Sequence, residues 1–183
     1  MVLTTTPAGE LGHAAPDFSL ADTSGEVWSR DAVCGENGLV VAFICNHCPY
    51  VIAVIDRLVD DALELEEHGI GTVAIMSNDW QAYPADAPDK MAEFAEDHGL
   101  PFHYLVDPTQ EVARSYGAVC TPDLFGYDRD LRLAYRGRLD SAANRPARSD
   151  TVRELRDAMI MIAETGKGPD IQNPSIGCSI KWR

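Results

Sequence analysis

The stretch Gly38-Leu39-Val40-Val41-Ala42-Phe43-Ile44-Cys45-Asn46-His47-Cys48-Pro49 carries an apolar run straight into two cysteines with two residues between them. The run is short, rich in β-branched residues and free of polar alternation, as a strand buried on both faces should be. It ends at Cys45. From Pro49 to His68 the apolar positions Val51, Val54, Ile55, Leu58, Val59, Ala62 and Leu65 recur at helical spacing, with Gly69 placed to cap the C-terminus. One long amphipathic helix is therefore expected over 49–68. Pro49 is acceptable in its first turn, where a missing N–H breaks no helical bond. Ile70 to Met76 repeats the buried-strand pattern, so strand, helix and strand predict a right-handed crossover and a parallel pair.

Working outward, Ala15 to Leu20 alternates apolar and polar residues, Asp22-Thr23-Ser24-Gly25 supplies turn chemistry, and Val27-Trp28 follows. That predicts an N-terminal β-hairpin. On the other side lie a polar, irregular loop from Ser77 to Pro88, a helix over 89–98 and a short strand over 104–106. A helix over 109–116, with Thr109 near its cap, precedes an antiparallel hairpin of Leu124–Tyr127 and Leu133–Tyr135. A last helix is expected at about 150–163. Residues 1–166 thus read as a single domain, and 167–183, rich in Gly, Pro and Ser, as a C-terminal tail extended along the surface.

A chain of 183 residues with 45% hydrophobic content can bury one core of ordinary size. Its net charge of −14 argues against nucleic acid and anionic membrane partners, which require basic patches. Self-repulsion at this charge predicts stability that rises with added salt. No segment has the length of a membrane span, and the N-terminus lacks the basic flank and apolar run of a signal peptide. The expected location is cytoplasmic. The five cysteines, Cys34, Cys45, Cys48, Cys120 and Cys178, are odd in number and widely spread, unlike a structural disulfide framework. In a reducing compartment, cysteines at catalytic spacing point to chemistry.

A Cys-x-x-Cys pair straddling a strand end and a helix start sets its first sulfur over unpaired backbone donors, which favours the thiolate at Cys45. Cys48, one turn on and expected to be less exposed, can resolve a mixed disulfide formed at Cys45. Two other readings stand beside this one. The cysteines can be ordinary buried thiols, or Cys45, His47 and Cys48 can hold a metal with Cys120 or Cys178. The second Cys-x-x-Cys or His-x-x-x-His pair of common metal sites is missing, so neither a metal nor an organic cofactor is expected.

At these residues the sequence resembles the thioredoxin superfamily, most closely its peroxiredoxin-like redoxin branch, the relatives of alkyl hydroperoxide reductase and thiol-specific antioxidant. Ala15-Pro16-Asp17-Phe18 looks like the opening of such redoxins, and Tyr116-Gly117-Ala118-Val119-Cys120-Thr121-Pro122 like the thioredoxin loop that ends in a cis-proline. The resemblance implies an α/β thioredoxin-like fold, a central mixed sheet flanked by helices, with the hairpin as an N-terminal extension. It implies a cis Thr121–Pro122 bond beside Cys45 and Cys48, whose backbone pairs with a bound substrate strand.

The implied activity is thiol–disulfide exchange, with Cys45 attacking and Cys48 resolving. Its partners would be protein or small-molecule disulfides and a thiol electron donor or acceptor. Asn46-His47 replaces the Gly-Pro of ordinary thioredoxins, and Ile44 the preceding tryptophan. A histidine before the second cysteine resembles disulfide isomerases, so His47 is expected to tune the couple toward a less negative potential. A peroxidase reading puts Cys48 at the peroxidatic position, with Cys45 where a threonine and Val41 where a proline should stand. No arginine lies between Cys120 and Leu124 to complete it. A third reading is a binding module that keeps only the fold. Cys120 and Cys178 are possible accessory thiols; taken singly they read as a small buried thiol and an exposed tail thiol, and Cys34 as a bland turn residue.

Overall fold

A computed structural model describes residues 2–183. The chain opens with β1 (Leu3–Thr5), then β2 (Ser19–Ala21) and β3 (Val27–Ser29), which form the expected antiparallel hairpin with Leu20 opposite Trp28. The Asp22 carboxylate closes its turn by accepting the N–H groups of Ser24 and Glu26 and the indole N–H of Trp28. There follow α1 (Arg30–Val33), β4 (Gly38–Phe43), α2 (Pro49–Ile52), α3 (Ile55–Glu67), β5 (Ile70–Met76), α4 (Pro88–Asp97) and β6 (His103–Val106). The second half holds α5 (Glu111–Tyr116), β7 (Cys120–Thr121), β8 (Asp123–Asp128), β9 (Leu133–Gly137), α6 (Glu154–Thr165) and β10 (Ile176–Ser179). Among the described residues no helix is long and apolar enough to cross a membrane.

The central sheet is mixed. β8 runs antiparallel to both β4 and β9, while β5 and β6 pair in parallel. β4 lies alongside β5, and Ile44 N donates to Ile75 O at 3.1 Å. Period-two alternation divides the fully buried β4: Leu39, Val41 and Phe43 join one core with Phe18, Tyr116 and Phe125, whereas Val40 and Ala42 face the other, with Leu58, Leu65, Leu155 and Met159 of α3 and α6. Helices therefore cover the sheet, as the apolar run at 38–44 requires.

Two expectations need correction. The single helix over 49–68 is divided: α2 ends at Ile52 and α3 starts at Ile55, ending before Gly69, whose φ of 70° lies in the left-handed region. At the break the Arg57 guanidinium, rather than only the helix ladder, takes the Ala53 carbonyl at 2.8 Å. Apolar spacing runs unbroken through the discontinuity, so periodicity could not expose it.

Only residues 167–174 of the tail run over the surface, without regular structure or a buried residue. The tail then returns as β10, antiparallel to β1 on one side and β7 on the other, with Cys178 opposite both Leu3 and Thr121. Beyond it, Lys181 N donates to Asn78 Oδ1, and Lys181 O accepts from Asp79 N and Gln110 Nε2, each at 2.8 Å. At Gly177 the strand approaches so closely that an added Cβ would collide with the Thr121 carbonyl oxygen.

Candidate active site: clustered sulfurs beside a cis-proline

Cys45 stands just past β4, and Cys48 caps α2, its carbonyl accepting from Val51 N and Ile52 N at 3.0 Å. Pro49 takes the first helical position, where its ring fits. Both sulfurs are sealed, the residues being 1% and 0% exposed, so the expected contrast in exposure between them is absent. The Thr121–Pro122 bond is cis, as implied by the resemblance. It sets the Thr121 hydroxyl 3.4 Å from Cys45 Sγ and the Thr121 carbonyl 3.1 Å from Cys48 Sγ, which donates to it.

The peptide edge of Thr121, expected to receive a substrate strand, is occupied by the protein's own β10. That ladder brings Cys178, 2% exposed, to the site, its Sγ 3.0 Å from Cys48 Sγ. The exposed tail thiol of the sequence reading is thus a buried neighbour of the motif. Cys120 is buried on β7, its thiol donating to Pro122 O at 3.6 Å. Cys34 lies apart, half-buried, against Gly35 O.

The irregular loop after β5 forms a wall of the site. Asp86, fully buried, accepts the backbone N–H of Asn46 at 2.9 Å and the amide of Asn78 at 2.8 Å. His47 Nδ1 lies 2.8 Å from the same carboxylate, without hydrogen-bond alignment, and its ring is parallel to that of Tyr83. Asn46 is fixed further by Ala85 O and the Tyr104 hydroxyl, each at 3.0 Å. Sequence reasoning missed Asp86, because nothing in a polar loop separates it from Asp79 or Asp89. Ligand atoms of Cys45, His47 and Asp86 all lie within 4.8 Å of one another, a spacing that a metal ion could bridge. The Asp86 oxygens, however, are already engaged by Asn46 and Asn78.

Charge is distributed unevenly over the sulfurs. The hydrogen bond that Cys45 gives to Cys48, its burial and the Asp86 carboxylate hold the Cys45 thiol above its ordinary range. The same bond pulls the Cys48 thiol below that range, helped by Cys178 and Thr121 and opposed by burial. Burial, then the hydrogen bond to Cys48, pushes Cys178 up to about 12. Burial also raises Cys120, with Asp123 adding. Any imidazolium charge on His47 meets the Asp86 carboxylate.

The family model of the AhpC/TSA family matches residues 11–136. The chain belongs to the AhpC/TSA family. This redoxin is similar over its whole length to an uncharacterized conserved protein from Geobacillus kaustophilus, at 43% identity, covering 100% of this chain and 97% of that one, with a TM-score of 0.92. A hypothetical protein from Sinorhizobium meliloti 1021 is 38% identical over 98% of both chains, with a TM-score of 0.93. The thioredoxin domain of a thiol-disulfide oxidoreductase from Bacteroides vulgatus, 15% identical, covers 70% of this chain and 89% of its own at a TM-score of 0.60. No curated protein matches. The fold of this AhpC/TSA member is thioredoxin-like, a mixed sheet between helices.

Proposed function

We propose that the protein is a thiol–disulfide oxidoreductase that cycles between a Cys45/Cys48 dithiol and disulfide. The observation that carries this reading is the placement of the two thiols at the end of β4 and the start of α2, both against Thr121 of the cis Thr121–Pro122 bond. Cys48, after losing the proton it gives to the Thr121 carbonyl, attacks a substrate disulfide as thiolate, forming a mixed disulfide and expelling the substrate's first sulfur as thiolate. Cys45 then gives up its proton, attacks Cys48 Sγ and releases the substrate's second sulfur, leaving the substrate reduced and Cys45–Cys48 oxidised. A thiol donor of the compartment, which we take to be a reducing cytoplasm, returns the disulfide to dithiol. An apolar groove beside Pro122, lined by Tyr50, Val54, Leu139 and Ile176, offers a seat for the substrate's side chains.

A stabilised thiolate favours the reduced form, so the couple should be more oxidising than thioredoxin at about −270 mV. Equilibration in graded glutathione buffers measures it. The function itself is tested by reduction of a model protein disulfide with dithiothreitol as donor. Wild type should be active and Cys48→Ser inactive; an inert wild type, or a Cys48→Ser variant of equal rate, refutes the reading.

The contact with Cys45 that pulls the Cys48 thiol below its ordinary range also favours a second reading, peroxide reduction with Cys48 attacking and Cys45 resolving. Against it, Arg136, the buried arginine on β9, commits its guanidinium to Asp123 and Gly117 O and lies over Phe125. It is thereby held from the stabilising role that peroxide cleavage needs. Peroxide consumption much slower than disulfide exchange is the expected result.

A further inference from the structure

We propose that Cys178 is a second resolving thiol for Cys48, so that oxidation of this protein forms a Cys48–Cys178 disulfide in addition to Cys45–Cys48. The proposal rests on the exchange chemistry above and extends it to a residue from the last strand. The 3.0 Å between Cys48 Sγ and Cys178 Sγ lies within the ~3–3.5 Å of near-attack contacts and about 1 Å beyond a disulfide bond. Cys48 thus has two sulfur neighbours, Cys45 three residues before it in the motif and Cys178, to whose sulfur it donates.

The placement of Cys178 is fixed by the fold. Its strand is laddered on both edges, by β1 and β7. Ser175 Oγ donates to Pro122 O at 2.8 Å on one side of it, and Lys181 N to Asn78 Oδ1 on the other. Gly177 admits the close approach to Thr121 that a side chain would prevent. A cysteine held so firmly against another sulfur forfeits little further entropy when it bonds.

The step balances without an added oxidant. Cys178, as thiolate, attacks Cys48 Sγ of the Cys45–Cys48 disulfide; the Cys48–Cys178 bond forms as Cys45–Cys48 breaks. Cys45 leaves as thiolate and takes up the proton that Cys178 gave up. No electrons enter or leave. From a mixed disulfide on Cys48, the same attack releases the substrate thiolate instead. Part of what raises the Cys178 thiol is its hydrogen bond to Cys48 and the charge there. Once Cys48 is in a disulfide that part is gone, while Lys181 continues to favour the thiolate. The product staples β10 to the start of α2 and returns Cys45 as a thiol.

The test is oxidation of Cys45→Ser with diamide, which takes one hydrogen from each of two thiols and becomes the hydrazine. Alkylation and non-reducing peptide mapping then read the product. The expected result is loss of two alkylatable thiols and a peptide linking positions 48 and 178. No disulfide, a link through Cys120, or only an intermolecular dimer overturns the inference. Wild type separates the two levels: if it forms Cys45–Cys48 while Cys45→Ser forms no 48–178 link, this inference alone fails; if it forms no disulfide, the oxidoreductase reading fails with it. Should Cys45→Ser not fold, wild type quenched in acid decides, since absence of its 48–178 peptide overturns the proposal.

Discussion

Asp86 and His47 meet at 2.8 Å in the wall of the sulfur site, the carboxylate fully buried and the imidazole partly covered. The loop after β5 thereby puts a fixed negative charge beside Cys45 and ties down Asn46 at the same time. A charge in such a place acts on the nearest thiol and on the backbone it holds, and the two effects can be separated by substitution.

Asp86→Asn keeps an acceptor for Asn46 N and removes the charge, so the Cys45 thiol should titrate lower, read as faster alkylation at neutral pH. Asp86→Ala leaves the donors of Asn46 and Asn78 unmet and should cost about 3 kcal/mol in denaturant unfolding. Equal stability of wild type and Asp86→Ala would show that the loop is not anchored through this carboxylate.

Thiolate absorbance near 240 nm should persist below the ordinary thiol range because Cys48 is held low by its hydrogen bond from Cys45. Cys45→Ala removes that donor and should move the titration upward. The linkage sign follows from the depressed folded value: the native state binds fewer protons than the unfolded state between the two, so stability rises with pH there. The contribution is complete above the unfolded thiol pKa and is lost as pH falls through the folded one.

Gly177→Ala forces a methyl group against the Thr121 carbonyl. Overpacking of this kind costs about 1–3 kcal/mol. Hydrogen exchange should localise the change, with faster exchange over 176–179 and across β7; unchanged protection there would mean that β10 does not need the close approach.

Arg136 and Asp123 form a buried ion pair at 3.0 Å immediately after the cis-proline, and Asp123 also accepts from Val119 N. Burial works against the charge on Asp123, and Arg136 counters it. Arg136→Ala should therefore cost about 3–5 kcal/mol, because it strands a buried carboxylate. Asp123→Asn in the same chain should recover part of the loss in a thermal scan.

Much of the scaffold is legible in residue order. The apolar runs at 38–44 and 70–76 became β4 and β5 because a strand covered on both faces needs no alternation, and the Asp22–Gly25 turn marked its hairpin through its own side-chain bonds. What escaped depends on contacts between distant segments. The break after Ile52, where the Arg57 side chain bonds the Ala53 carbonyl, falls inside a stretch whose apolar spacing is continuous. Asp86 matters because folding sets it against Asn46 and His47. Ile176-Gly177-Cys178-Ser179 is too short, and follows too much Pro and Gly, to announce a strand; its partners lie at the far end of the chain and beside Pro122. With that strand went the sulfur neighbour of Cys48.

The clamp on the tail has an optical consequence. Trp182 follows β10 closely, its indole 4.2 Å beneath the Arg114 guanidinium, while Arg183 N donates to Gln110 Oε1. Detaching the last strand would draw that ring from under a cation into water, changing the emission of a natural fluorophore. Docking of β10 can therefore be followed in real time in the unlabelled protein.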